Sequence, residues 1–205
     1  PACRAGVPRG CADPAGSEAG DTAERVEAAA VPLATGGHAV LPAVEVPVAG
    51  EDVAGVWSRL AVTRAHRQLL VVAVPAGAAN VLAAVQPWER LLREPDVGLA
   101  LDTAAPVAPA EAGAAAAWLA DVVRTSRLPQ KLLVVPGTAS GWAAPPELAV
   151  VALGVPAEAT TDVLARYGAR AVAPPVLRGL ALAPEDTEPR EILGLVPPPD
   201  VVVYR

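Results

Sequence analysis

The sequence is poor in the residues from which many protein sites are built. Its 205 residues include no phenylalanine, no methionine, two histidines, two cysteines and a single lysine, Lys131. Aromatic residues make up 3% of the chain, whereas hydrophobic residues make up 53%. The apolar volume therefore comes from alanine, valine and leucine. This predicts a core of many small contacts, with helices lying close to a sheet.

The charge balance disfavours nucleic acid as a partner. The net charge is −6, whereas proteins that bind a phosphate backbone cluster their lysines and arginines. Here the arginines are spread over two predicted helices, at Arg59, Arg64 and Arg67 and at Arg90 and Arg93. We expect these side chains to be solvated, with their aliphatic stems covering apolar surface.

The sequence also lacks a long apolar run, which predicts that it has no transmembrane span. The most apolar segments, Leu69–Val74 and Leu148–Leu153, are of strand length and are flanked by turn-forming residues. A chain of this length suits one domain and can bury a core without the help of disulfides or metals.

Both cysteines lie in the Gly/Pro/Ala-rich N-terminal segment. Cys3 and Cys11 enclose seven residues, a spacing that is not typical of zinc sites. One interpretation is a local disulfide in an oxidising compartment, and the other is a lipid on Cys3. Together with a first residue, Pro1, that is not methionine, the pair predicts an exported or surface protein whose signal peptide has been removed. The alternative is a cytoplasmic protein.

The pattern from the N-terminus onward predicts a flexible leader and then one domain. Residues 1–20 show no periodicity and are assigned to the leader, and residues 21–205 form the domain. Asp21 is the expected N-cap of the first helix. Strands are predicted at Ala39–Val48, Leu69–Val74, Val97–Leu101, Leu132–Val135, Leu148–Leu153, Arg170–Ala173 and Asp200–Tyr204. Helices are predicted at Thr22–Ala30, Glu51–His66, Ala79–Arg93, Ala110–Arg127, Glu158–Tyr167 and Thr187–Leu195.

This alternation predicts an α/β fold with a parallel sheet. The favoured architecture is a (β/α)-barrel-like fold that is incomplete or distorted, and the alternative is an open doubly wound sheet. Pro42 and Pro47 indicate that the first strand lies at an edge or is irregular, and Pro87 is expected to kink or split its helix.

Both architectures place ligand sites in the loops after the strands' carboxyl ends. The candidate ligand-binding residues in those loops are Asn80, Asp102, Thr138, Ser140 and Trp142. Asp102 is the one carboxylate directly after a buried strand and hence the catalytic candidate, although an Asx turn or a cap also explains it. Trp142 could stack on a sugar or fill the barrel mouth.

Known catalytic and cofactor motifs do not occur. The sequence has no G-x-x-x-x-G-K-[ST] phosphate loop, no G-x-G-x-x-G dinucleotide fingerprint and no G-x-S-x-G nucleophile elbow. His38 and His66 have no partner at a metal-ligand spacing. The sequence therefore predicts neither a metal nor a cofactor.

Three sequence stretches support a resemblance to a protein family. REPDVGLALD ends at Asp102, RLPQKLLVV spans Arg127–Val135, and PDVVVY spans Pro199–Tyr204. The chain resembles, as a divergent member, a family of actinobacterial secreted or surface proteins of unassigned function with a (β/α)-barrel-like domain.

The resemblance also implies a degenerate site. The family's polar motifs D-x-Q-P-G, L-D-P-E-W and H-Q-F are replaced here by Ala73–Gly77, Leu101–Ala105 and Pro136–Thr138. Of the family's polar residues at the strand ends, only Asp102 remains.

These observations favour an exported, non-catalytic domain that acts by binding or as a component of the cell envelope. The expected partner is a carbohydrate or a cell-envelope component. A chain with no selected role is a further alternative. The enzyme alternative is a glycoside-hydrolase-like activity that uses Asp102 and a second loop carboxylate. Candidates for that second acid are Glu111, Glu147, Glu185 and Asp186. The sequence indicates no oligomeric state.

Overall fold

The computed structural model describes residues 14–35, 40–75, 80–101, 107–137, 143–153, 175–182, 192, 194–195 and 199–204. Its helices are α1 (Pro14–Thr35), α2 (Val53–Ala65), α3 (Val81–Val85), α4 (Glu89–Leu92) and α5 (Pro109–Ser126). Its strands are β1 (Ala43–Pro47), β2 (Leu69–Val74), β3 (Val97–Leu101), β4 (Lys131–Pro136), β5 (Leu148–Leu153), β6 (Leu177–Leu182) and β7 (Val201–Tyr204).

The seven strands form one all-parallel sheet in the order β1-β2-β3-β4-β5-β6-β7. A doubly wound sheet reverses its strand order at a switch point, so this sequential order excludes that alternative. The sheet curls into a half-barrel, which confirms the prediction of an incomplete (β/α)-barrel-like fold.

Side chains alternate between two buried faces of the sheet. On β2, Leu70 and Val72 belong to a large apolar cluster that includes residues of α2, α3, α4 and α5. Val71 and Ala73 belong to a second cluster, whose members all come from strands. Right-handed crossovers place successive helices on the same side of a sequentially ordered sheet. The first cluster is therefore the outer, helix-covered layer, and the second lies on the inner face.

Two glycines face the inner side at places where a side chain would not fit. A Cβ on Gly179 would lie 2.8 Å from Cγ1 of Val151 and 2.9 Å from Cδ1 of Leu153. A Cβ on Gly98 would lie 3.1 Å from the backbone oxygen of Leu132. Because the inner face of a curled sheet is the crowded one, these glycines let neighbouring strands approach each other there.

Strand β1 lies at an edge of the described sheet, as its prolines predicted. Pro42 and Val48 face β2, since Leu69 N–H donates to the Pro42 carbonyl and Val48 N–H donates to the Ala73 carbonyl. Residues alternate along a strand, so the backbone groups of Pro47 point away from β2. The N–H that proline lacks would therefore form no bond to β2. Proline is tolerated at such positions.

Helix α1 begins at Pro14, so the assignment of Asp21 as an N-cap is wrong. Proline is favoured in the first turn of a helix, and the alanines that follow have high helix propensity. Tertiary contacts also hold the segment: Ala19 and Ala23 are buried, and Gln68 Nε2 donates to the Ala23 carbonyl at 2.8 Å. The helix thus starts inside the stretch predicted as a leader.

The predicted helix over Ala79–Arg93 is split at Pro87, as expected. A 3₁₀ turn at Gln86–Trp88 separates α3 from α4. Proline has no N–H to donate to the preceding turn, so a continuous α-helix would lose a hydrogen bond there.

The sixth strand differs from its prediction. It lies at Leu177–Leu182, where the sequence pattern predicts no element. The strand predicted at Arg170–Ala173 and the helix predicted at Glu158–Tyr167 lie outside the described residues. Of the last predicted helix, Ile192 is helical, whereas Gly194 and Leu195 are in a turn.

In the part of the chain that the structure describes, no helix combines the length and the apolar character needed to cross a bilayer.

Candidate functional site

The carboxyl ends of β2, β3 and β4 open at one edge of the sheet, which we call the carboxyl edge. These strands are immediate neighbours and parallel, so the loops that follow them also start side by side. Asn80 follows β2 and Asp102 follows β3 directly. The remaining candidates, Thr138, Ser140 and Trp142, follow β4. Those three residues and Asp102 lie outside the described residues, so their roles stay predictions.

Asn80 acts as the N-cap of α3. Its side-chain oxygen accepts a hydrogen bond from Ala83 N–H at 3.0 Å, and its backbone is extended, as the cap position requires. The cap uses one lone pair of the oxygen, and the side-chain NH₂ group is a further donor for a ligand at this residue.

The inner face just below the carboxyl edge is lined by small apolar residues. Ala73, Ala100, Val134 and Leu153 are at most 2% exposed and belong to the inner cluster. This surface offers neither a proton donor nor a nucleophile.

One carboxylate in the described strands shares the inner side. Glu45 has the parity of Ala43, which packs against the inner cluster, and it is half-buried. In the strand register Glu45 is level with Val71 and Gly98. It therefore lies well below Leu101, the last residue of β3.

The opposite edge, which we call the amino edge, holds the polar residues that the fold does bring together. Arg64, in the last turn of α2, donates to Asp96 through Nε at 2.6 Å and through Nη2 at 2.7 Å. Its Nη2 also donates to the carboxylate of Glu94. The hydrogen bonds from Arg64 are the main reason why the pKa of Asp96 lies below its ordinary value.

Lys131 is buried beside this ion pair. It is the first residue of β4 and is 1% exposed, and its Nζ donates to the carbonyls of Glu94 and Val97. Burial lowers the pKa of Lys131 to about 8, although the carboxylates of Asp96 and Glu94 act in the opposite direction. The ammonium group thus ties the turn before β3 to the start of β4.

The amino-edge cluster consists of Arg64, Glu94, Asp96 and Lys131. The sequence pattern did not predict it, although Glu94, Asp96 and Lys131 lie in the motifs that carry the family resemblance. The available signal was the chain's lone lysine at the start of an otherwise apolar strand. In β/α barrels this edge serves stability and the carboxyl edge serves chemistry. The amino-edge residues of the two motifs are therefore parts of the scaffold.

Glu147 lies at the amino edge as well, at the entrance to β5. Its carboxylate accepts from Arg124 Nε at 3.1 Å, and its carbonyl accepts from Lys131 N–H at 3.1 Å. The backbone N–H of Glu147 and the guanidinium of Arg124 lower the pKa of its carboxyl. Glu147 thus lies at the amino end of β5 and is paired with Arg124, whereas Leu101, the residue before Asp102 in the chain, ends β3 at the carboxyl edge.

Potential metal ligands are sparse in the described ranges, where no group of three or more His, Cys, Asp or Glu side chains could hold an ion. His66 Nδ1 lies 3.0 Å from Glu27 Oε1, a contact that joins α2 to α1. The other histidine, His38, and the cysteines Cys3 and Cys11 lie outside the described residues.

Comparison with known proteins gave no match: no family model matches the sequence, and none of the curated proteins is significantly similar to it. The resemblance to actinobacterial surface proteins therefore stays a prediction.

Proposed function

We propose that this chain is an exported, non-catalytic β/α domain that binds a carbohydrate or another cell-envelope component through the loops at its carboxyl edge. The single observation that carries the proposal is the apolar inner face beneath that edge. Enzymes of this architecture take catalytic groups from the ends of several strands, whereas Ala73, Ala100 and Val134 occupy such positions here.

Positions in the neighbouring loops support binding rather than turnover. Asn80, Asp102, Ser140 and Trp142 follow three adjacent strands. A carboxylate, an amide, a hydroxyl and an indole ring are side chains that bind sugars through hydrogen bonds and stacking. Two acids across a cleft are needed for glycoside hydrolysis, and Glu147, a candidate for the second, lies at the amino end of β5 beside Arg124.

A binding experiment with matched variants tests the proposal. Purified chain is screened against cell-wall polysaccharides and soluble oligosaccharides, and the best ligand is titrated against Trp142→Ala and Asp102→Asn. We expect each variant to weaken binding at least tenfold while the wild type releases no reducing sugar. Asp121→Asn is the control, because Asp121 is an exposed carboxylate on α5.

Two results would overturn the proposal. Hydrolysis of a glycan by the wild type that is lost in Asp102→Asn would establish the enzyme alternative. Binding that is equal in Trp142→Ala, Asp102→Asn and the control would place the ligand elsewhere.

Export is tested separately by the intact mass of native material. A loss of two hydrogen atoms relative to the reduced chain would identify a disulfide between Cys3 and Cys11, and a large added mass would identify a lipid. Two free thiols would contradict both interpretations and favour the cytoplasmic alternative.

A further inference from the structure

Arginines are concentrated where three helices reach the amino edge. In a β/α fold each helix ends near the start of the next strand, so α2, α4 and α5 all end at this edge. The arginines in or just beyond their last turns are Arg64, Arg67, Arg90, Arg93, Arg124 and Arg127. This concentration is local, since the whole chain is acidic.

Half of these arginines have carboxylate partners and half do not. Arg64, Arg93 and Arg124 form ion pairs. Arg67, Arg90 and Arg127 are exposed and make no side-chain hydrogen bond or ion pair with any residue that the structure describes. Their guanidinium groups are therefore available to an anionic partner.

Two of the three unpaired arginines occupy a backbone conformation that normally selects glycine. Arg67 has φ 55° and Arg127 has φ 53°, both in the left-handed region. Each lies just beyond a helix, where Gln68 N–H donates to the Thr63 carbonyl and Leu128 N–H donates to the Val123 carbonyl, the Schellman arrangement. Interaction with the helix dipole explains an arginine in a last turn, but it does not explain arginine in place of glycine at these two positions.

The three unpaired arginines are neighbours across the sheet. Arg67 precedes β2, Arg90 lies on the helix before β3, and Arg127 precedes β4. These strands are consecutive in the sheet, and neighbouring strands are about 5 Å apart. The arginines therefore present their charge along one side of the amino edge rather than on separate faces.

An exposed apolar side chain lies at the same edge. Leu41 is 67% exposed, and the next residue, Pro42, accepts a hydrogen bond from Leu69 N–H at the start of β2. Leu41 is thus close in the fold to Arg67. Guanidinium groups beside an exposed leucine are the combination that binds the interface of an anionic bilayer.

We propose that the amino-edge surface formed by Leu41, Arg67, Arg90 and Arg127 binds anionic phospholipid headgroups, so that the domain associates peripherally with a membrane. The exposed leucine within the surface argues for a bilayer over a nucleic acid, because an apolar side chain can enter the bilayer interface. This inference concerns the edge opposite the proposed carbohydrate site and does not rest on that proposal.

Vesicle co-sedimentation tests the inference, and glycine variants remove the charge without harming the fold. Arg67→Gly and Arg127→Gly delete a guanidinium and relieve the left-handed backbone strain, so we expect thermal stability to be kept or raised. Each arginine near an anionic surface contributes about fivefold to partitioning. The double variant should therefore bind phosphatidylglycerol vesicles roughly 25-fold more weakly than the wild type.

Control variants distinguish binding through this surface from nonspecific attraction between positive charge and the vesicles. Arg59→Gln removes one positive charge from the middle of α2, where Arg59 pairs with Glu51 at 3.1 Å, and should leave vesicle binding unchanged. Leu41→Ser should weaken binding without changing its salt dependence. Wild-type binding should fall as salt is raised and should be absent from phosphatidylcholine vesicles.

Several outcomes would overturn the inference. These are no binding to anionic vesicles, equal binding to phosphatidylcholine, and unchanged binding by the stable double glycine variant. Preferential binding to duplex DNA over the vesicles at physiological salt would identify a different polyanion as the partner.

Discussion

The Nζ of Lys131 lies 2.8 Å from the carbonyl oxygen of Val97. The residue pairs that join β3 to β4 are Leu99 with Leu133 and Ala100 with Val134. The buried lysine thus extends the connection between the two strands toward the amino edge with a side-chain hydrogen bond. This bond accounts for a charged residue inside a core built from alanine, valine and leucine.

Replacing this lysine should destabilise the domain. Lys131→Met keeps most of the side-chain volume but leaves the buried Val97 carbonyl without its ammonium partner. An unsatisfied buried acceptor costs about 1–3 kcal/mol, and urea unfolding near pH 10.5, where burial of the charge no longer counts against the wild type, should show a loss of that size. Arg90→Gln, on the exposed side of α4, should change the free energy of unfolding by less than about 0.5 kcal/mol. A Lys131→Met variant as stable as the wild type would contradict a structural role for the ammonium group.

The same lysine should make stability depend on pH in the alkaline range. Its pKa is lowered from 10.5 to about 8 in the folded chain, so between these values the unfolded chain binds the proton more strongly. Stability from this group is therefore fully present above about pH 10.5 and is lost as the pH falls through about 8.

We expect the free energy of unfolding of the wild type to rise by at most about 3 kcal/mol relative to Lys131→Met across that window. Chemical denaturation of both chains between pH 7.5 and 10.5 measures the difference, and other titrating groups cancel in the comparison. If the free energy of unfolding varied with pH in the same way for both chains, the lysine would have the same pKa in the folded and unfolded states, which contradicts the prediction.

The ion pair between Arg64 and Asp96 should respond to acid. The pKa of Asp96 is below its ordinary value, so its contribution is present above the unfolded-state pKa and is lost as the pH falls through the lowered one. Asp96→Asn should cost about 1 kcal/mol near neutral pH, since the pair is partly exposed, and should flatten the acid limb of the stability profile. The exposed Asp121→Asn should change neither. A double-mutant cycle with Arg64→Gln should give a coupling energy, and zero coupling would contradict the pair's contribution.

The inner face should not tolerate added volume at Gly179. A Cβ there would approach Val151 to 2.8 Å, and overpacking of this kind costs about 1–3 kcal/mol. Thermal and urea unfolding of Gly179→Ala should show that loss, and Val151→Ala in the same chain should recover part of it.

Gly20 provides the matched glycine control. It lies within α1, and a Cβ added to it meets nothing within 4 Å, so Gly20→Ala should stabilise the chain by about 0.5–1 kcal/mol. If Gly179→Ala behaved like Gly20→Ala, the close approach of β5 and β6 would be wrong.

The strands that could be predicted are the ones with continuous apolar runs. Leu69–Val74, Val97–Leu101 and Leu148–Leu153 have the predicted bounds, because burial on both faces leaves no polar interruption in them. Strand β6 carries Arg178 and Gly179 among its apolar residues, and this interruption hides it. Its glycine is explained by the crowded inner face, which depends on neighbours that are remote in sequence.

The polar cluster was unpredictable for a related reason. Arg64 and Asp96 are 32 positions apart, and Lys131 is 37 positions from Glu94. No local spacing connects them, and only the strand order brings them to one edge. Conversely, Asp102 is readily chosen as a candidate because a carboxylate directly after an apolar strand is a local signal. Such a signal carries no information about which residues lie beside it in the fold.

Because the chain has one lysine and the fold encloses it, the folded molecule offers amine-directed chemistry no exposed ε-amino group. Acylation of Lys131 by a small reagent would require the start of β4 to separate from the turn before β3. The rate of acylation at Lys131, followed by peptide mass, would therefore report how often β3 and β4 separate at the amino edge. No engineered probe is needed for this measurement.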